Sequence, residues 1–184
     1  MINEIVMLIE KKLRLNGQCI VAIDGRCGSG KTTLAEMLKG YFDCNVFHAD
    51  DFYIPFEKRK EDRTGNLDTK RLKDDVIEPL KERKSFSYRP FLCMKGTFLE
   101  AVEVESKSVA IIEGSYSCQS ELFDFYDIHI FLDIDKNMQQ KRLREREGEE
   151  KLLAFNERWI PMEERYFALS EIKYKCEIYY KTSV

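Results

Sequence analysis

The chain has 184 residues, with 33 acids against 30 bases (net −3) and 43% hydrophobic content. The two signs are interleaved and nearly balanced, which excludes binding to nucleic acid or anionic membranes through bulk positive charge. No apolar run approaches the roughly 20 residues of a membrane span, and Met1-Ile2-Asn3-Glu4-Ile5 lacks the basic-then-apolar order of a secretory leader.

Ile2, Ile5, Val6, Ile9 and Leu13 recur at helical spacing and predict an opening amphipathic helix that ends near Asn16-Gly17. The apolar run 18–24 predicts a buried strand, and Leu34 to Leu38 the start of a helix. Further strands are expected at 44–49, 108–113 and 128–133, with a weaker one at 176–179. Continuous rather than alternating apolar runs indicate strands covered on both faces, as in a parallel sheet. Alternation with helices makes the class α/β, doubly wound, with ligands expected at the carboxyl ends of the strands. No repeat, low-complexity tract or linker divides the chain, so one domain over 1–184 is expected. Six scattered cysteines without C-x-x-C spacing read as reduced, mostly buried thiols, and a cytoplasmic location follows from them. His48 and His129 fall inside predicted strands and are expected in or near the core.

Gly25-Arg26-Cys27-Gly28-Ser29-Gly30-Lys31-Thr32 fits G-x-x-x-x-G-K-[ST] at every fixed position, between a predicted strand and a predicted helix, with Thr33 following. Glycines let backbone N–H groups converge on phosphate oxygens without side-chain obstruction, and the helix adds its positive end. Lys31 is expected to reach the β- and γ-phosphates, and the Thr32 hydroxyl to ligate Mg²⁺. A nucleoside triphosphate is thus the expected cofactor. No guanine-reading N-K-x-D is present, and little chain remains for the coupling elements of an ATP-driven machine.

The acids at strand ends carry the chemistry. Asp50, first of Asp50-Asp51-Phe52-Tyr53, could accept the proton of an attacking hydroxyl; the competing reading is a helix N-cap. Glu113 of Glu113-Gly114 is placed to hold the metal directly or through water, or merely ends a strand. In Asp133-Ile134-Asp135 one aspartate is expected to be a cap. Arg142 and Arg146 share one helix face while Arg144 points away; the pair could close over transferring phosphates as a lid spanning about 142–158. Glu147-Gly148-Glu149-Glu150 would be its flexible part.

Together, Gly25 to Thr33, Asp50-Asp51-Phe52-Tyr53, Ile112-Glu113-Gly114 and Asp133-x-Asp135 with its arginines resemble the uridine kinase family, the branch of phosphate-loop kinases that includes nicotinamide riboside kinase and phosphoribulokinase. The likeness runs from about Gln18 to about Arg165. It implies a P-loop NTPase fold with a five-stranded, mostly parallel sheet, helices on both faces and a small helical lid. It further implies Asp50 as the base, Glu113 near Mg²⁺, and Arg142 and Arg146 as lid arginines; a third family arginine is replaced by Gln139. By the same resemblance Asp68 would hold ribose hydroxyls, and Tyr53, Tyr88 and Arg89 would contact base and sugar. The family's pyrimidine-touching histidine has no counterpart after Tyr88-Arg89-Pro90. Trp159-Ile160-Pro161-Met162 resembles the region after the lid in riboside kinases, although a lone tryptophan there also suits packing. The expected activity is ATP- and Mg²⁺-dependent phosphorylation of a hydroxyl on a nucleoside-like small molecule. A kinase for another acceptor (nicotinamide riboside, a sugar phosphate, a vitamin alcohol) and a low-turnover nucleotide-binding regulatory module remain the alternatives.

Overall fold

The computed structural model describes residues 1–59, 65–93 and 95–182. In chain order it contains α1 (Ile2–Asn16), β1 (Cys19–Gly25), α2 (Lys31–Lys39), β2 (Cys44–His48), a 3₁₀ turn at Ala49–Phe52, and α3 (Thr69–Leu72). A π-helical turn (Lys73–Ile77) joins α3 to α4 (Glu78–Lys81), and the short strands β3 (Phe86–Tyr88), β4 (Phe91–Leu92), β5 (Thr97–Phe98) and β6 (Val102–Val104) follow. Next come β7 (Val109–Glu113), α5 (Ser120–Phe123), β8 (Ile128–Ile134), α6 (Lys136–Glu147), α7 (Glu149–Ala154), a π-helical turn (Phe155–Trp159), α8 (Ile160–Ser170), α9 (Ile172–Lys175) and β9 (Ile178–Thr182).

The central sheet has the order β2-β7-β1-β8-β9, and every pairing is parallel. The three inner strands β1, β7 and β8 are buried on both faces, which is why their sequences are largely apolar. Along β1 the side chains alternate between two cores. Val21 and Ile23 join Ile5 and Ile9 of α1 and Leu34 and Leu38 of α2; Ile20 and Ala22 join Phe47, Leu72, Leu80 and Phe131 on the other side. Each fully buried Ile, Leu or Phe in these clusters contributes roughly 1.5–3 kcal/mol of transfer free energy. The predicted α/β, doubly wound P-loop NTPase architecture is the one observed. No helix among the described residues is long and apolar enough to cross a membrane.

Helix α2 begins at Lys31, where the phosphate-loop motif puts its start, because Gly30 adopts a left-handed conformation (φ 100°) that turns the loop directly into the helix. Two differences from expectation have local causes. The last strand begins two residues late, since α9 carries the chain to Lys175 and the Cys176 amide still bonds to the Ile172 carbonyl. The antiparallel pairs β3–β6 and β4–β5 were not expected; with two or three residues per strand they carry too little alternation to read. The six cysteines are free thiols, three buried and three half-buried.

Candidate active site

The phosphate loop leaves β1 at Gly25, whose φ of 136° only glycine adopts comfortably and whose ideal Cβ would stand 2.0 Å from the Leu132 carbonyl oxygen. This close approach, with Arg26 N–H donating to the same carbonyl (3.1 Å), pins the loop to β8. No side chain caps the N-terminus of α2, so its first amides are left for a ligand. Lys31 is buried, and its ammonium donates to the carbonyls of Gly25 (2.8 Å) and Arg26 (2.9 Å). Cys27, Gly28, Ser29, Gly30, Lys31, Thr32 and Thr33 all line one cavity of about 1060 Å³.

Beside the loop, Thr32 donates its hydroxyl to Glu113 Oε1 (3.0 Å), and His48 Nδ1 lies 2.6 Å from the same oxygen. The register of β2 on β7 sets His48 directly opposite Glu113. The hydrogen bond to Glu113 raises the His48 imidazole above its ordinary value against the opposing effect of burial. His48, expected in or near the core, lies at its edge: its side chain is 45% exposed and sits at the open end of the sheet, because strand ends leave the packed layer. His129 is buried, as expected, against Phe123. The Thr32 hydroxyl and the Glu113 carboxylate form a hard-oxygen pair suited to Mg²⁺, which keeps several waters and needs few protein ligands.

The two neighbouring acids after β2 separate. Asp50 is exposed on the cavity and engages the Tyr53 hydroxyl, whose proton is held more tightly through burial and the nearby Asp50 charge. Asp51 turns away, accepting from Tyr88 (3.4 Å), with its carbonyl held by Arg71 (2.5 Å), and does not line the cavity. Burial pushes the Asp51 carboxyl up. Tyr53 and Asn66 are brought to the cavity by main-chain pairing, Ile54 N–H to Asn66 O and Asp68 N–H to Phe52 O, both 2.7 Å.

Arg142 and Arg146 both line the cavity from α6, and Arg142 donates to the Gly28 carbonyl (3.1 Å). Arg144 faces the other way, paired with Glu149. Gln139 is buried and donates to the Cys27 carbonyl (2.9 Å), so it props the loop from behind. Asp135 is the α6 cap, accepting from Met138 N–H (3.0 Å). Gly148 (φ 84°) separates α6 from α7, and Phe155 and Trp159 of the following π-helical turn reach the cavity wall.

Several expected contacts lie elsewhere. Neither Gly25 nor Arg26 lines the cavity; the Arg26 guanidinium turns outward to Asp133 (2.6 Å) and Glu164 and lies over the Phe167 ring. Asp68 caps α3 by accepting from Arg71 N–H (3.0 Å), Tyr88 stacks on Phe52, and exposed Arg89 donates to the Leu99 carbonyl (2.9 Å). None of these three reaches the cavity. An aspartate directly before Thr-Lys-Arg is itself a cap signal, and here capping uses the carboxylate.

Sequence reasoning missed Arg59, Ser115, Tyr116 and Glu163, all on the cavity wall. Ser115 was legible only as the residue after Glu113-Gly114. Glu163 follows a helix-starting Pro161 and has the pattern of an ordinary solvated face, yet it is only 4% exposed. Beneath the loop, Asp24 is fully buried and accepts from Gly25 N–H (2.6 Å), Tyr116 N–H (3.1 Å), Cys118 N–H (3.0 Å) and the Tyr166 hydroxyl (2.9 Å).

No family model and no curated protein matches the sequence. Among solved structures, the chain resembles one described as a possible uridine kinase from Bacillus stearothermophilus, with 21% identity, a TM-score of 0.65, and coverage of 96% of this chain and 99% of that one. A shikimate kinase from Acinetobacter baumannii in complex with shikimate is more distant, at 15% identity and a TM-score of 0.46, covering 93% and 87%. With the sheet order, the phosphate loop and the near-complete overlap on the first of these, the chain has the α/β fold of the P-loop NTPases.

Proposed function

We propose that the protein is an ATP- and Mg²⁺-dependent kinase that transfers the γ-phosphoryl group to a hydroxyl of a nucleoside-like small molecule. The observation that carries this is the sharing of one cavity by Lys31, the Thr32–Glu113 pair, Asp50 and the two arginines of α6. The loop amides and Lys31 would hold the triphosphate, for which the uncapped α2 terminus and the buried ammonium supply a fitting donor set. Mg²⁺ bound at Thr32 and Glu113 would neutralise charge on the phosphates.

Asp50 orients the acceptor hydroxyl and takes its proton, with Tyr53 steadying the carboxylate. Asp51, turned onto Tyr88, is unavailable for that role. Arg142 and Arg146 stabilise charge on the moving phosphoryl group, and the segment 142–158 acts as a lid over the cavity. The presence of Tyr53, Trp159 and Asn66 on the cavity wall supports a planar acceptor with hydrogen-bonding edges. This reading leaves out Asp68, Tyr88 and Arg89, whose side chains are engaged away from the cavity.

The test is ADP release from Mg-ATP against a panel of nucleosides, ribosides, sugar phosphates and small alcohols, with no-acceptor controls. Acceptor-dependent release with at least one hydroxyl compound is expected. Tight nucleotide binding with no acceptor-dependent release across the panel would overturn the kinase assignment in favour of a nucleotide-binding module.

A further inference from the structure

Helix α8 grips the phosphate loop with two consecutive side chains. Glu164 pairs with Arg26, and Glu163 Oε2 accepts the N–H of Cys27 (3.0 Å). The other oxygen, Glu163 Oε1, accepts from Ser115 Oγ (2.5 Å), and Ser115 Oγ lies 3.5 Å from Lys31 Nζ. A buried carboxylate therefore spans the loop backbone and, through one hydroxyl, the loop lysine, while lining the cavity itself. The chain enters the lid from α6, whose Arg142 holds the Gly28 carbonyl, and leaves it into α8; both ends of the lid are fastened to adjacent loop residues.

We propose that Glu163 is a positioning residue that fixes the Cys27 peptide and, through Ser115, the Lys31 ammonium, so that lid and phosphate loop keep one register. The proposal rests on the phosphate loop being the nucleotide site. Its role is geometric: a glutamine can accept from Cys27 and donate to Ser115, whereas alanine can do neither.

The test compares Glu163→Gln, Glu163→Ala, Ser115→Ala and the double alanine variant with wild type in the full chain. Three readouts are taken: hydrogen-exchange protection of the Cys27 amide, the Kd of Mg-ADP, and the rate of ADP release from Mg-ATP with the acceptor panel and with water alone. Glu163→Ala is expected to lose the Cys27 protection and to slow turnover by about 10²-fold through misplacement of the loop. Glu163→Gln restores both, together with the Mg-ADP affinity that Glu163→Ala weakens through the displaced Lys31, and Ser115→Ala adds nothing in the Glu163→Ala background for turnover. Equal behaviour of Gln and Ala, or additive losses in the double variant, overturns the proposal. A wild-type chain that fails to bind Mg-ADP would instead remove the nucleotide site, while the Cys27 protection would still report on the grip.

Discussion

Asp133→Asn separates the structural part of the phosphate loop from its ligand-binding part. Asp133 is the penultimate residue of β8 and is 9% exposed; it accepts from Arg26 Nε (2.6 Å), the Tyr179 hydroxyl (2.6 Å) and the Ile134 amide (2.8 Å). Burial alone would raise its carboxyl, but the donors from Tyr179, Ile134 and Arg26 outweigh it and leave the group below its ordinary value. Asparagine keeps the shape and loses the charge, so the loss is that of a partly buried charge-assisted network. The Arg26 side chain retains 23% exposure, which places the cost at about 1–3 kcal/mol, between an exposed pair and a fully buried one.

The sign with pH follows from linkage. A carboxyl depressed on folding stabilises the native state above its unfolded value of 3.8, and that contribution is lost as pH falls through the folded value. Urea unfolding of wild type and variant at several pH values should therefore give a constant difference from about pH 5 to 8 that shrinks toward pH 3. A difference that persists or grows in acid would refute the reasoning. Mg-ADP affinity should not change, because Arg26 faces away from the cavity.

Other substitutions probe the site and its frame. Lys31→Ala should damage nucleotide binding and turnover together, with kcat down by about 10²–10³-fold in steady-state assays. Arg142→Ala should lower kcat more than Arg146→Ala, since Arg142 is held against Gly28 while Arg146 is 56% exposed beside Glu147; a loss of about 10–10³-fold is expected for the former. Gly25→Ala must push β8 away from the loop and adopt a strained φ, for a loss of about 2–5 kcal/mol in thermal or urea unfolding.

The sheet was legible because strands buried on both faces have to be apolar throughout, and the phosphate loop because its glycines and lysine have few other uses. Strand ends then told where acids would gather, which is how Asp50 and Glu113 came to notice. What the sequence hid were contacts made across layers. The His48–Glu113 pair depends on the register of β2 on β7, which alternation within either strand does not encode. Glu163 looks like any helix-surface acid until α8 is laid over the loop. Asp68 shows the reverse: its resemblance to a ribose-holding segment competed with a plain cap signal, and the carboxylate caps α3. Arg26, likewise, belongs to the phosphate-loop motif by position and to an ion-pair network by geometry.

The central claim is that a hydroxyl is phosphorylated with Asp50 as its base. Once the acceptor panel has identified a substrate, the most direct measurement is kcat and nucleotide Kd for Asp50→Asn. A fall in kcat of about 10²–10⁴-fold with Mg-ATP binding preserved is the predicted result. Normal turnover by Asp50→Asn would contradict the assignment and leave Asp50 as no more than a turn residue after β2.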